Sequence, residues 1–457
     1  MTALKQRLFP DKLREVDRTI WRIALPCVLE NLLTFAATLI IAAMIGRLTA
    51  DEISAQGIGA RITGVLQSLF KGIGVGGTIV IGTLCGMRRR GRCRKTTEEL
   101  VIISLAISLV FCLPVLFKPH PFLRLFSDDE ELISLAVPYV RVAIWMMPSF
   151  AVSRIITAAF NGEGNTRTPM VIAVTINIIN AAAGYLLIFA AGLGLMGAAW
   201  ALVFSNFCGM AMGLAAIYHP RRGLYGGLRR DAEIFHAGLN EVGQSFSAGM
   251  PAACENMMWS AVAIIMTRAL LSYDTTSNSG YQLASQIEEF LASPCFGFQL
   301  AATTLLAQCS GRHDEVSAWV YHRRVGFWAV VVSLPAVLIL VLVPHFCMTI
   351  VTDKPAIQDI GAIYLVLVGI TYIPQTLNMV DFGAIRVKSS KVFPLIVTVI
   401  GMWGVRVPVA ALSAWVFNAP IAFVFAGIAF DQVVRWGIAL LYRRRKCIFW
   451  GKPPTKG

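Results

Sequence analysis

The chain has 457 residues, of which 56% are hydrophobic and only 14% are charged, and its mean hydropathy is +0.66. Soluble globular proteins carry about a quarter of charged residues, so this composition excludes a soluble enzyme or a soluble nucleic-acid-binding domain. The net charge of +14 does not indicate nucleic acid, because no polar region is long enough to form a basic soluble domain. The composition indicates an integral membrane protein.

Cysteine usage and the N-terminus give no sign of disulfides, metal or cleavage. The ten cysteines lie mostly within apolar runs and form no Cys-x-x-Cys pair, so we expect neither disulfides nor a metal site, and no cofactor. The first twenty residues are polar and lack a short apolar stretch followed by a small-residue cleavage site. We therefore expect the first apolar run to stay in the membrane.

Apolar runs long enough to cross a bilayer follow one another along the whole chain. A helix needs about 20 apolar residues to cross about 30 Å of hydrocarbon. This criterion predicts an all-α integral membrane fold with twelve transmembrane helices. The first six predicted spans are 20–46, 54–86, 98–117, 132–158, 169–191 and 194–217. The second six are 244–271, 279–309, 325–343, 357–383, 392–416 and 419–441.

The positions of lysine and arginine predict the orientation of these spans. Of the 40 basic residues, 28 lie at the termini or in the even-numbered loops and four lie in the odd-numbered loops. Basic loops remain on the cytoplasmic side during insertion. Both termini are therefore predicted to be cytoplasmic, with the protein in the inner (plasma) membrane.

Two short segments indicate an internal repeat. LPCVLEN (25–31) and MPAACEN (250–256) place proline, glutamate and asparagine in the same frame, 225 positions apart, and Gly72 and Gly297 stand at the same offset. We predict two six-helix lobes, 1–218 and 243–457, joined by a basic cytoplasmic linker at 219–242. Because six is even, both lobes insert the same way up, so their pseudo-twofold axis runs along the membrane normal.

Several segments in chain order resemble the multidrug and toxic compound extrusion (MATE) family. They are AAFNGEGNTRTP (158–169), NIIN (177–180), GLMGAAWAL (194–202), VRVP (405–408) and FWGK (449–452). The resemblance covers essentially the whole chain. It implies two lobes around a central cavity, and export of amphipathic or cationic small molecules in exchange for Na⁺ or H⁺. It also implies a monomer whose partners are such substrates and the lipid bilayer, with no nucleic acid.

The sequence departs from that family at its acidic positions. In helices one and five, the family's carboxylates correspond to Ile41 and Gly184, and in helices seven and ten they correspond to Trp259 and Gln375. The usual cation site of the N-terminal lobe is therefore not expected in this chain.

Other acids inside the predicted spans are candidates for cation coupling. A carboxylate at the bilayer centre costs roughly 2.5–3.5 kcal/mol, so such an acid is protonated, faces water or binds a cation. Glu30 and Glu255 each lie four residues after a proline, and Asp381 lies near the end of the tenth span. We predict that Glu255, Glu30 and Asp381 carry coupling. For Asp381, pairing with a basic neighbour is an equal alternative.

Polar and adaptable side chains near these acids are candidates for the substrate cavity. Glu288 and Glu289 are adjacent, about 100° apart on a helix, so only one of them is expected to line the cavity. The remaining candidates are Tyr281, Gln282, Gln375, Asn177, Asn256 and Met257.

Two further pairings follow from helical spacing and from charge. Asp431 and Arg435 are spaced i, i+4, which predicts a structural ion pair. Lys71 lies within the glycine-rich second span, where a buried lysine could pair with Glu30 of the first helix and would then compete with cation binding.

Secondary active export by alternating access is the predicted function. One alternative is a flippase for lipid-linked precursors of the same superfamily, which the span cations Arg61, Lys71 and Arg141 favour. A membrane enzyme or receptor is the other alternative. Against it, the sequence shows no metal-ligand spacing, no nucleophile motif and no phosphate-binding loop.

Overall fold

The computed structural model describes residues 10–124, 129–219, 239–417 and 419–449, and within them the regular structure is helical. In the first half the helices are α1 Pro10–Ile45, α2 Ala50–Gly86, α3 Arg90–Phe117, α4 Pro119–Leu123, α5 Glu130–Ala143, α6 Met146–Glu163, α7 Arg167–Tyr185 and α8 Gly194–Tyr218. In the second half they are α9 Leu239–Leu271, α10 Thr275–Gly311, α11 Glu315–Leu342, α12 Pro344–Thr349, α13 Pro355–Lys388, α14 Phe393–Gly401, α15 Val407–Ala411 and α16 Ile421–Arg445. Most of the predicted basic linker, 220–238, lies outside the described residues.

Among the described residues, ten helices are long and apolar enough to cross a membrane, and there are eleven if the bent pair α5 and α6 counts as one span. The chain is thus a multi-pass membrane protein. The remaining predicted span, 244–271, lies within α9, a 33-residue helix that does not reach the same apolar threshold.

The fourth predicted span, 132–158, is not one straight helix. It is divided into α5 and α6, whose axes differ by 46°. Pro148 is the third residue of α6, where its missing N–H removes no intrahelical hydrogen bond. Pro148 is therefore compatible with the start of a new helix at Met146, whereas it would remove a hydrogen bond from a helix that continued from α5. A span of this length is expected to tilt, to extend beyond the membrane or to break, and this one is bent between α5 and α6.

A second irregularity lies in the eleventh predicted span. Between α14 and α15 the chain forms a π-helical turn, Met402–Arg406, and Pro408 follows it as the second residue of α15. Proline cannot donate a backbone hydrogen bond, and a widened turn before it relieves the clash of its ring. Such π-helical turns often mark functional positions, and this one ends at Arg406.

The chain forms two compact units, each with contributions from both halves of the sequence. One unit is Leu29–Ala253, and the other is Met1–Val28 together with Cys254–Gly457. The dividing points after Val28 in α1 and after Ala253 in α9 stand 225 positions apart, which is the offset of the two proline segments. The first part of each repeat's opening helix thus belongs to the unit of the other repeat. The division into lobes at the linker remains a prediction.

Each unit has its own apolar core. In Leu29–Ala253 the core lies between α2, α5, α6 and α8, with Phe70 and Phe160 fully buried. In the other unit it lies mainly between α10, α13 and α16, with Tyr372 and Phe425 fully buried. The hydroxyl of Tyr372 donates to the carbonyl oxygen of Leu291 at 2.6 Å, which fixes the register of α13 on α10. This register determines which side chains meet in the site described below.

Candidate functional site

Glu288 is held by uncharged partners inside the unit that contains α10 and α13. The hydroxyl of Tyr364 donates a hydrogen bond to one carboxyl oxygen of Glu288. The side-chain amide of Gln375 donates to the other oxygen at 3.4 Å. Tyr281 packs edge-on against Tyr364, with ring centroids 5.3 Å apart. The carboxyl thus lies in an aromatic pocket and accepts hydrogen bonds from two neutral donors.

Its neighbour Glu289 differs in exposure. Glu288 is half-buried and Glu289 is exposed. The helical rotation of about 100° per residue separates the two side chains as the sequence predicted. Glu288 is therefore the member of the pair that belongs to the aromatic pocket.

Beside this pocket, one carboxylate binds two arginines. Asp431 of α16 is fully buried and accepts from Arg406 Nε at 3.0 Å and from an Arg435 terminal nitrogen at 2.9 Å. The guanidinium carbons of Arg406 and Arg435 lie 5.2 and 5.1 Å from the ring centroid of Trp259. The predicted ion pair between Asp431 and Arg435 is confirmed, and Arg406 joins it.

This arginine cluster influences Glu288 directly. Both Arg406 and Arg435 lie within electrostatic range of the Glu288 carboxyl. Asp431 neutralises only one of the two guanidinium charges. An ionised Glu288 balances the second charge, whereas a protonated Glu288 leaves it uncompensated, so the proton occupancy of Glu288 sets the net charge of the cluster.

Glu255 lies in a different arrangement from the one that the sequence suggested. Its carboxylate forms an ion pair with Arg386 of α13 and accepts a second hydrogen bond from Thr398 at 3.3 Å. Only 7% of the Arg386 side chain and 15% of the Glu255 side chain are exposed. The coupling role was predicted because Glu255 is an acid inside a span, and in this structure its carboxylate is bound by Arg386.

Asp381 is also paired. It is buried and accepts from Arg443 at 2.6 Å, and it contacts the His322 ring nitrogen Nε2 at 3.1 Å. The ring of His322 stacks on Phe449. Of the two alternatives for Asp381, the structure has the one in which the acid pairs with basic neighbours.

In the unit Leu29–Ala253, Glu30 faces an arginine rather than the expected lysine. Glu30 is half-buried, and the charged group within its electrostatic range is Arg154 of α6. In the described part of the chain, Glu30 and Lys71 form no direct ion pair, and the charge that acts on each of them is Arg154. The structure therefore does not have the pairing of Lys71 with Glu30 that the sequence left open.

Asn177 meets α1 close to Glu30. Its side-chain amide donates to the hydroxyl of Thr34 at 2.9 Å, and Thr34 stands one helical turn after Glu30. Because residues four apart share a helix face, Glu30, Thr34 and Asn177 form one polar surface in this unit.

The remaining cavity candidates lie on α9 and α10. Gln282 is exposed and donates to the Thr267 hydroxyl at 3.3 Å. The side chain of Met257 is 37% exposed, and Asn256 is half-buried one position after Glu255.

Sequence reasoning missed the partners that define these sites. Tyr364, Arg386, Arg406 and Arg443 were not singled out, although each binds an acid that was. For Arg406 the available signal was an arginine inside the predicted span 392–416, because such a charge is placed there only with a partner, water or a ligand. Arg386 and Arg443 lie two or three residues beyond the predicted spans 357–383 and 419–441, where basic residues are common.

The helical fold with ten or eleven apolar spans among the described residues defines a multi-pass membrane protein. A family model described as MatE matches residues 26–186 and 251–412, more than half of the chain and once in each predicted repeat. The chain belongs to the MatE family, and it is a transporter rather than an enzyme.

Individual relatives agree over nearly the full length. The chain is 23% identical over 451 residues to "Probable multidrug resistance protein NorM" of Thermotoga maritima, covering 96% of this chain and 95% of the relative. It is 21% identical to "Uncharacterized transporter YisQ" of Bacillus subtilis, covering 98% and 97%.

Solved structures share the fold at low sequence identity. One described as "Outward-facing conformation of a multidrug resistance MATE family transporter of the MOP superfamily" has a TM-score of 0.88 at 17% identity, with 94% of this chain and 96% of that chain covered. Another is described as "Reverse polarity of binding pocket suggests different function of a MOP superfamily transporter from Pyrococcus furiosus"; its TM-score is 0.87 at 17% identity, with the same coverage.

Proposed function

We propose that this protein is a proton-coupled exporter of amphipathic small molecules that works by alternating access. In this proposal it is a monomer with twelve spans in two six-helix lobes and with both termini in the cytoplasm. Membership in the MatE family and the names of full-length relatives support multidrug export. The lysine and arginine distribution supports the orientation.

The observation that carries the proposal is the environment of Glu288. Glu255, Asp381 and Asp431 are each bound by arginine, whereas the direct partners of Glu288 are the neutral groups of Tyr364 and Gln375. A carboxyl with neutral partners exchanges a proton without breaking an ion pair. The proton affinity of a carboxyl depends on its burial and on nearby charges, so a small movement of α10 relative to Arg406 and Arg435 changes the proton affinity of Glu288.

The same environment favours H⁺ over Na⁺ as the coupling ion. Sodium needs several oxygen ligands, but Tyr364 and Gln375 both present hydrogens to the carboxyl. The excess positive charge of Arg406 and Arg435 repels a metal cation. A proton removes the negative charge of Glu288 and needs no ligand shell.

Transport in proteoliposomes tests this proposal. Movement of ethidium, a cation, and of 8-anilinonaphthalene-1-sulfonate, an anion, is followed by fluorescence under an imposed pH gradient or an imposed sodium gradient. We expect the wild type to move at least one probe under the pH gradient alone, and Glu288→Gln to reduce this movement at least tenfold. The amide still accepts from Tyr364, so the fold is preserved. Glu315→Gln is the control, because Glu315 is an exposed partner of Lys388 in the same unit.

Two results contradict the proposal. One is pH-driven movement by Glu288→Gln at the wild-type rate. The other is movement that follows a sodium gradient at constant pH. Thermal unfolding of each purified variant separates lost coupling from lost folding.

A second candidate, a flippase for lipid-linked anionic precursors, is supported by cations in the spans of the unit Leu29–Ala253. Arg61, Lys71 and Arg141 are exposed side chains within α2 and α5. Cations at that depth suit an anionic headgroup better than a cationic drug. Movement of fluorescent phosphatidic acid between leaflets, assayed below, separates the two functions.

A further inference from the structure

Lys71 stands in the middle of α2 and remains exposed there. It is 21 residues after the start of this 37-residue helix and 15 before its end. The next residue, Gly72, packs against the backbone of Ala253 on α9: a Cβ at Gly72 would lie 2.6 Å from the Cα of Ala253. Close packing at the neighbouring Gly72 therefore fixes the backbone position of Lys71. An unpaired ammonium at the bilayer centre costs roughly 2.5–3.5 kcal/mol on insertion scales, so it requires water or a ligand.

Arg154 approaches Lys71 from α6. A Cβ at Gly74 would lie 3.6 Å from the Arg154 carbonyl oxygen, and the Thr78 hydroxyl donates to the carbonyl of Ala158 at 3.4 Å, so α2 and α6 run side by side at this level. The guanidinium carbon of Arg154 lies 4.8 Å from the centroid of the Phe150 ring. In the described part of the chain, neither cation donates a hydrogen bond to a carboxylate. The two positive groups thus share one region beside an aromatic wall.

One acid serves these two cations. Glu30 of α1 is half-buried and interacts electrostatically with Arg154. Lys71 interacts with Arg154 and has no acid of its own. The cluster of Glu30, Lys71 and Arg154 therefore has one uncompensated positive charge. Ile41 and Gly184 stand at the positions where the resembled family carries acids, so no carboxylate at these two positions offsets the charge.

We propose that Lys71 and Arg154 bind the anionic group of an amphipathic substrate, a carboxylate, phosphate or sulfonate, and that Glu30 occupies Arg154 when the site is empty. The guanidinium of Arg154 offers a planar pair of donors to two oxygens, and Lys71 adds a mobile point charge. The Phe150 ring offers an apolar surface for the body of the molecule. This inference rests on the proposed export of amphipathic molecules and names their charge: anionic or zwitterionic rather than purely cationic.

A matched pair of probes tests the site in the purified full chain. 8-Anilinonaphthalene-1-sulfonate and N-phenyl-1-naphthylamine share the same aromatic body, and only the first carries an anion. We expect the wild type to bind the sulfonate at least tenfold more tightly, measured by fluorescence titration above the detergent background. Lys71→Gln and Arg154→Gln are expected to weaken sulfonate binding about tenfold or more, with little effect on the neutral probe. Chloride is expected to compete with the sulfonate.

The sign of the Glu30 effect is the sharpest expectation. Glu30→Gln removes the internal anion that competes for Arg154, so sulfonate binding should tighten severalfold. Lys71→Arg is expected to restore binding lost in Lys71→Gln, which a variant with a damaged fold would not do. Arg47→Gln is the charge control, because Arg47 is an exposed arginine of the same unit in the loop after α1. It should change binding less than twofold.

The source of the anion is decided by a lipid assay. Fluorescent phosphatidic acid and phosphatidylcholine are compared in proteoliposomes by their accessibility to dithionite. Movement of phosphatidic acid that is lost in Lys71→Gln assigns the site to a lipid headgroup, and no movement together with sulfonate binding assigns it to free amphiphiles. Both results support an anion site. Equal binding of the two probes by the wild type, or weaker sulfonate binding by Glu30→Gln, overturns it.

Failure of this inference is distinguishable from failure of the proposed function, because the titration uses no ion gradient. In one outcome the wild type moves ethidium under a pH gradient, Glu288→Gln does not, and the wild type does not bind the sulfonate. The proposed export function is then supported and the proposed anion site is contradicted. If the sulfonate binds as expected but neither probe moves under a pH gradient, the anion site is supported and proton-coupled export is contradicted.

Discussion

Gly72 and Gly297, which stand 225 positions apart, make equivalent contacts. Gly72 faces Ala253, and Gly297 faces Val28, whose position is likewise 225 before Ala253. A Cβ at Gly297 would lie 2.6 Å from the Val28 side chain and 2.9 Å from the carbonyl oxygen of Ala24. In each case the second helix of one repeat packs closely on the opening helix of the other. The sequence offset is therefore also a structural offset.

Enlarging either glycine is expected to have the same effect. Gly72→Leu and Gly297→Leu force α2 from α9 and α10 from α1, so each should lower the free energy of unfolding by about 1–3 kcal/mol or more. Gly64 of α2 is the control, since a Cβ there meets nothing within 4 Å. Gly64→Ala should be neutral or stabilising by up to about 1 kcal/mol, because alanine favours a helix. The midpoint of thermal unfolding in detergent measures all three, and a harmless Gly297→Leu would show that the two contacts are not equivalent.

The helices and the repeat could be predicted from the sequence because both follow from local composition and from a fixed offset. A long apolar run predicts a membrane-spanning helix. The prolines of the segments 25–31 and 250–256 stand 225 positions apart, which indicates the repeat. The position of the break between α5 and α6 could not be predicted, because Pro148 is equally compatible with a kink inside a helix and with the first turn of a new one.

The acids of the site could be predicted individually, but their partners could not. Asp431 and Arg435 are four apart, so helical geometry alone pairs them. Glu255 and Arg386 are 131 positions apart, and Glu288 and Tyr364 are 76 apart. Their meeting depends on how α9, α10 and α13 pack, which no local pattern encodes. The sequence therefore identified the acids inside the spans but not the residues that bind them.

The ion pair of Glu255 and Arg386 is expected to be structural. Glu255→Gln leaves a buried guanidinium without its counter-ion, which costs roughly 3–5 kcal/mol. The double variant Glu255→Gln/Arg386→Gln removes both charges and should recover part of this loss. Thermal unfolding of the three variants gives the coupling energy. A double variant that loses the sum of the two single losses would mean that the groups act independently.

Trp259 is expected to stabilise the two arginines that it contacts. Trp259→Leu removes the aromatic face between Arg406 and Arg435, and each cation–π contact is worth about 0.5–2 kcal/mol. Trp259→Phe keeps a smaller ring and should lose less stability than Trp259→Leu. Unfolding midpoints measure this order, and equal losses would show that volume alone matters at this position.

Asp381 and Arg443 are expected to behave as one unit in mutant cycles. Asp381→Asn and Arg443→Gln should each destabilise the protein by roughly 3–5 kcal/mol, because each leaves a buried charge unpaired. The coupling energy between them should be about 1–3 kcal/mol. His322→Gln retains a hydrogen-bonding side chain beside Asp381 and should cost less than either. If Asp381→Asn is as stable as the wild type, the Arg443 contact is not maintained in the membrane.

Asp274, in the loop between α9 and α10, is expected to give a stabilisation that depends on pH. The hydroxyl and the backbone N–H of Ser277 donate to its carboxylate and hold the pKa of Asp274 below its ordinary value of about 3.9. As the N-cap residue of α10, Asp274 should contribute about 1 kcal/mol to the free energy of unfolding at neutral pH, and Asp274→Ala removes this contribution.

Because the pKa of Asp274 is lowered in the folded state, this stabilisation is present above about pH 4 and is lost as the pH falls through the folded-state pKa. The unfolding midpoints of wild type and variant should therefore converge at low pH. Asp353→Ala, which replaces an exposed loop acid outside the N-cap positions, should show no such difference at any pH. A gap between wild type and Asp274→Ala that stays constant down to pH 3 would mean that the carboxylate charge does not act through the cap.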